Sequence, residues 1–107
     1  MAGSEITSPK KTTINYDVIK QSIDAALTSY REKTGVKIMW YYEKTRRRRS
    51  ILVRVSIPET DKNRAYMVAA NIVKWLKDQG FDASMYKPLE PLAYVHWWLY
   101  VEIKVRT

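Results

Sequence analysis

The 107-residue sequence predicts an α+β fold, a four-stranded antiparallel sheet with two helices packed on one face, in the order αββαββ. Three observations predict it. Two segments repeat apolar residues at helical spacing, and each stops at a glycine, Gly35 or Gly80. After each of them come segments in which apolar and polar residues alternate at period two, as in a half-buried strand. Each alternating segment has one continuous apolar side, which a single layer of helices can cover. The length suits a single domain over residues 13–107. Residues 1–12 (MAGSEITSPKKT) are polar, contain Gly and Pro, lack any apolar period, and read as a flexible arm.

In the first helix Asn15 is the expected N-cap, with Ile14 and Ile19 at the positions of a hydrophobic staple. Ile19, Ile23, Ala26, Leu27 and Tyr30 make its apolar stripe, and Arg31 and Lys33 suit its last turn before Gly35. In the first strand Val36, Ile38, Trp40 and Tyr42 point one way and Lys37, Met39, Tyr41 and Glu43 the other. The second strand sets Ile51, Val53, Val55 and Ile57 against Leu52, Arg54 and Ser56, so the four arginines between the strands fall at or beside a hairpin turn. Pro58 ends that strand. Thr60 or Asp61 then caps a helix to about Gln79, with Ala65, Val68, Ala69, Ile72, Val73 and Leu76 inward. Gly80 is its stop, with Phe81 folding back on Leu76 in a Schellman motif.

Residues 81–87 read as a short third strand and residues 88–92 (PLEPL) as a turn. The last strand alternates longest, with Ala93, Val95, Trp97, Leu99, Val101, Ile103 and Val105 facing the helices. Tyr94, His96, Trp98, Tyr100, Glu102, Lys104 and Arg106 then face outward. The two halves echo each other weakly: residues 30–40 (YREKTGVKIMW) and 75–85 (WLKDQGFDASM) each run aromatic, charged turn, glycine, strand.

Charge directs the functional expectation. The chain carries a formal +8, and residues 36–57 alone carry +6 of it. Arg46, Arg47, Arg48 and Arg49 stand consecutively with no acid among them, and their repulsion is relieved only by counterions or a polyanion. Arginine also forks onto phosphate and guanine as lysine does not. The expected partner is nucleic acid, DNA or RNA, bound with low sequence specificity and without enzymatic activity. In this scheme the arginine hairpin, Arg54, Lys104 and Arg106 contact phosphates, while Tyr41, Trp98 and Tyr100 on the outward sheet face stack on bases. An accessory protein of a microbe or virus would have this composition. The alternative is an interaction or assembly module, viral structural or host-inhibitory, whose interface is Met39, Leu52, Tyr94, His96, Trp98 and Tyr100. A homodimer through that face would present two arginine hairpins, as β-ribbon DNA binders do.

Other chemistry finds little support. With no cysteine there is neither a disulfide framework nor a thiolate metal site, and His96 is the lone histidine. Glu59 and Asp61 suit helix capping better than a metal-dependent nuclease, even if the fold were to bring them near Glu102. The three glycines stand far apart, so no phosphate-cradling loop exists. Catalytic, metal and cofactor sites and a small-molecule substrate are therefore not expected. No run of 18 apolar residues occurs, so a transmembrane segment is not expected either, and a cytoplasmic or nucleoid-associated location fits.

Overall fold

A computed structural model describes residues 15–44, 49–93 and 96–105. The order is α1 (Tyr16–Thr34), β1 (Met39–Glu43), β2 (Ser50–Ile57), α2 (Lys62–Asp78), β3 (Asp82–Ala93) and β4 (His96–Lys104). The four strands form one antiparallel sheet in the order β1-β2-β4-β3, so β1 and β3 are edges and the two halves meet at the β2–β4 pair. Both helices lie on the face that carries Val53, Val55, Leu99 and Val101, which are fully buried beneath Ile23, Leu27, Ile72 and Leu76. Among the described residues, no helix is long and apolar enough to cross a membrane.

The helix ends follow from their residues. Asn15 accepts the Val18 N–H at 3.2 Å, and Asp61 accepts that of Asn63 at 2.9 Å. At Gly35 (φ 76°) the amide reaches back to the Arg31 carbonyl at 2.9 Å, a single left-handed cap. Gly80 (φ 98°) closes α2 in the expected Schellman pattern: its N–H meets the Lys77 carbonyl, and the Phe81 N–H meets that of Leu76, each at 3.0 Å. A Cβ on Gly80 would touch nothing within 4 Å, so Gly80→Ala isolates the backbone term. Its expected cost is about 1 kcal/mol, read as a lowered urea midpoint with unchanged slope.

The weak internal repeat has a structural counterpart. Tyr30 and Trp75, the aromatics that open the two echoing segments, meet edge to face at 6.1 Å between α1 and α2. Trp75 also donates its indole N–H to the Ala26 carbonyl at 2.8 Å, which locks the helix pair.

Three expectations are corrected. β1 begins at Met39; Val36 and Ile38 precede it, joined by a tight Ile38 N–H to Val36 carbonyl bond of 2.8 Å, although Ile38 is buried as expected. Residues 88–92 are not a turn but part of the 12-residue strand β3. The prolines are tolerated because β3 is an edge strand whose register with β4 shifts between Met85 and Lys87, between Lys87 and Glu90, and between Pro91 and Ala93. One amide freed from the ladder, that of Leu89, donates to the Tyr66 hydroxyl on α2 at 3.1 Å. Ala93 accordingly belongs to β3 and pairs with His96, the first residue of β4. Ile14, Tyr94, Val95 and Arg106 lie outside the described residues, as does the 1–12 arm.

Candidate functional site

Two regions carry the residues singled out by the sequence: the end of the sheet where β1 passes to β2, and the sheet face opposite the helices.

At the sheet end, Arg46, Arg47 and Arg48 lie outside the described residues. Arg49 is exposed and has a left-handed backbone (φ 61°), a conformation that costs a non-glycine residue about 1–2 kcal/mol. Two bonds hold it there. Its N–H meets the Tyr16 hydroxyl on α1 at 3.2 Å, and its carbonyl accepts the Val105 N–H at 2.6 Å. The root of the hairpin is thus tied to the start of α1 and to the end of β4. Lys44 and Lys104 are exposed at the same end, Lys104 opposite Ser50 and Asp82 in register. A surface cleft of about 510 Å³ adjoins them, lined by Lys77, Gly80, Asp82 and Lys104 among others. Asn15 and Val105, where the described chain begins and ends, also lie at this end of the sheet, beside Tyr16 and Arg49.

The register arranges the open face in rows. Glu43, Leu52, Glu102 and Ser84 form one row; Tyr41, Arg54, Tyr100 and Lys87 the next; Met39, Ser56, Trp98 and Glu90 a third. Met39 and Tyr41 are about half exposed, at 51% and 46%. Arg54 is the centre of this face. Its guanidinium lies 4.4 Å from the Trp98 ring centroid and 5.6 Å from that of Tyr41, and those two rings meet edge to face at 6.1 Å. Its Nε lies 2.9 Å from Glu43 Oε2, a charge contact in which the N–H is not aligned as a hydrogen bond. In the same row Lys87 stands 4.3 Å from the Tyr100 ring centroid and 2.9 Å from Glu90. Hydrogen bonds from Lys87 and Tyr100 hold the Glu90 carboxyl below the usual carboxylate range, and Glu90 in turn raises Lys87.

The sequence-predicted residues therefore divide. Tyr41, Arg54, Trp98 and Tyr100 come together, joined by Met39 and Leu52; His96 lies toward the far end, and Arg49 and Lys104 at the hairpin end. From Ser50 to Arg54 the strand rises about 13 Å, so hairpin and aromatic cluster are distinct places on one sheet. Arg54, assigned a phosphate contact from sequence, has its charge met within the chain by Glu43 and two rings. Sequence reasoning missed Lys87 and Glu90 because it placed the latter in a turn. It also missed the charge balance: Arg54, Lys87 and Lys104 share the face with Glu43, Asp82, Glu90 and Glu102. Glu59 follows β2 at the end of the sheet away from the hairpin, whereas Glu102 pairs with Leu52, roughly 20 Å away along the strand. Among the described residues, no three of His, Cys, Asp and Glu are grouped to hold a metal ion.

A second polar cluster, not anticipated, holds β1 to α1. Asp24 Oδ1 accepts the Trp40 indole N–H at 2.8 Å and the Tyr42 hydroxyl at 2.6 Å, with the Lys20 carbonyl 2.9 Å from the same hydroxyl oxygen. Burial first, then the bond to Asp24 and its charge, pushes the Tyr42 hydroxyl far above the ordinary tyrosine range. The folded form therefore keeps Tyr42 neutral where the unfolded chain would ionise it, so this stabilisation is complete below pH about 10 and is lost as pH rises further. A titration followed at 295 nm should show Tyr42 silent until the protein unfolds, whereas Tyr42→Phe should unfold at a less alkali-sensitive midpoint.

In comparisons with known proteins, no family model matches the chain, and no curated protein or solved structure is significantly similar to it.

Proposed function

We propose that this chain binds nucleic acid without enzymatic action, through the basic end of its sheet, with Arg46, Arg47, Arg48 and Arg49 as the principal contact. The observation that supports this reading is the separation of charge. Residues 44–49 (KTRRRR) contain no acid, and Arg106 follows Val105, whose N–H meets the Arg49 carbonyl. The open face, by contrast, balances its cations with carboxylates, so a polyanion gains little there. Contacts at the sheet end go to phosphates, which position a protein without reading sequence, and low specificity follows. Arg54 is left out of the contact set. The same charge balance favours a second reading for the aromatic face, a protein interface, in place of base stacking by Tyr41, Trp98 and Tyr100.

The test compares two variants of equal charge, each lowering the formal +8 by four. One replaces Arg46, Arg47, Arg48 and Arg49 with alanine. The other replaces Lys33, Lys37, Lys62 and Arg64, which lie toward the opposite end of the sheet. In fluorescence polarisation with labelled DNA and RNA, single- and double-stranded, the first should lose binding and the second should keep most of it. Equal losses would mean that net charge alone is responsible and that the hairpin is not the contact.

A further inference from the structure

We infer that the open sheet face pairs with the same face of a second copy of this chain, about a twofold axis parallel to the strands along the β2–β4 seam. The dimer stands apart from the nucleic-acid reading; only its consequence for the arginine hairpins rests on it. Four strands by the nine residues of β4 make a face of about 19 by 30 Å, a projected area of about 600 Å². Side-chain relief raises the accessible area above that, toward the roughly 800 Å² per partner of ordinary stable complexes. Exposed Met39 and Tyr41 beside Trp98, Tyr100 and Leu52 supply its apolar content.

What selects a second copy is self-complementarity. An axis along the seam keeps each row opposite itself while exchanging β2 with β4 and β1 with β3. Arg54 then faces Tyr100 of the second copy, and Lys87 faces its Tyr41, cation against aromatic in both cases. Met39 faces Glu90, and no side chain meets its own charge. The rotation of about 30° between aligned twisted sheets is least felt at the β2–β4 seam, where Arg54 meets Tyr100.

An axis across the strands carries a like-with-like contact at each register. Centred on a row, it sets charged residues against their own copies, Arg54 and Lys87 among them. Shifted half a row one way it opposes Asp82 to Glu90; shifted the other way it sets Lys87 against Glu90 but stacks Trp98 on Tyr100, large on large. The seam axis also carries both hairpins to the same end. With strands 4.8 Å and sheets 10 Å apart, the β1–β2 strand ends of the two copies lie about 14 Å from each other. Eight arginines would then form one pole.

The chain has no cysteine, so thiol cross-linking reports the axis cleanly. Met39→Cys and Glu90→Cys copies, each folded, are mixed and treated with a bis-maleimide of about 8 Å reach. Each copy carries a single thiol, so no intramolecular bridge competes. The expected result is a covalent dimer from the mixture at least tenfold faster than from either copy alone. Met39→Cys cross-linking to itself would overturn the seam axis, and a chain that sediments as a monomer at about 0.1 mM without nucleic acid would overturn the dimer. A dimer that fails to bind nucleic acid would leave this inference standing and remove the proposed function; a monomer that binds would do the reverse.

Discussion

Asp24→Ala is expected to destabilise the fold by about 2–4 kcal/mol, because one carboxylate oxygen serves two donors at once. Trp40 and Tyr42 are both partly buried against the core, and with the carboxylate gone neither the indole N–H nor the hydroxyl keeps this acceptor. The Lys20 carbonyl at 2.9 Å can take the hydroxyl proton, which limits the loss at Tyr42. Hydrogen bonds to an ionised partner contribute about 1.5–3 kcal/mol each, and a domain of this size has only about 5–15 kcal/mol in total. The melting temperature should therefore fall by at least about 8 °C. Asp24→Asn keeps an oxygen in place and should lose about half as much, and in the Tyr42→Phe background the alanine change should cost less than in the wild type. A change below about 0.5 kcal/mol for Asp24→Ala, measured by urea denaturation, would show that the cluster is not what holds β1 under α1.

Replacing the four hairpin arginines is expected to have the largest functional effect. Each phosphate neutralised contributes a slope of about −0.9 to the dependence of log K on log salt for duplex DNA, so four contacts account for about −3.6. Their loss should weaken binding by at least about a hundredfold near 50 mM salt, and by less as salt rises and the wild-type advantage is screened. Stability should hardly change. The run lies between the strands, and the described bonds of Arg49 use its backbone, which alanine retains apart from the left-handed strain already present. A fall in affinity accompanied by an equal fall in melting temperature would point instead to a damaged hairpin root.

Much of the fold was legible because each element depends on its own residues. Asn15, Asp61, Gly35 and Gly80 act as caps where local chemistry places them, and the alternation of β2 and β4 fixes which side chains meet the helices. β3 was half legible. Pro88 and Pro91 signal a break in isolation, and only the strand order makes β3 an edge where missing amides and bulges are tolerated. The candidate site divides in the same way. Parity along β2 and β4 put Arg54, Trp98 and Tyr100 on one face, but partnership across strands depends on register, which a sequence does not carry. Glu43 beside Arg54, and Lys87 over Tyr100, turn what reads as a basic aromatic surface into a charge-balanced one. Asp24 carried a usable signal, an acid next to the inward Ile23 and one turn before Leu27, where a buried donor must exist to justify it.

The most direct measurement is the salt dependence of DNA affinity for the wild type and the four-alanine variant between about 50 and 300 mM salt. The expected wild-type slope is about −3.6 or steeper, approaching twice that if a dimer presents both hairpins, with the variant shallower by the same amount. A wild type that does not bind, or a wild type and variant with equal slopes, would contradict the hairpin as the contact.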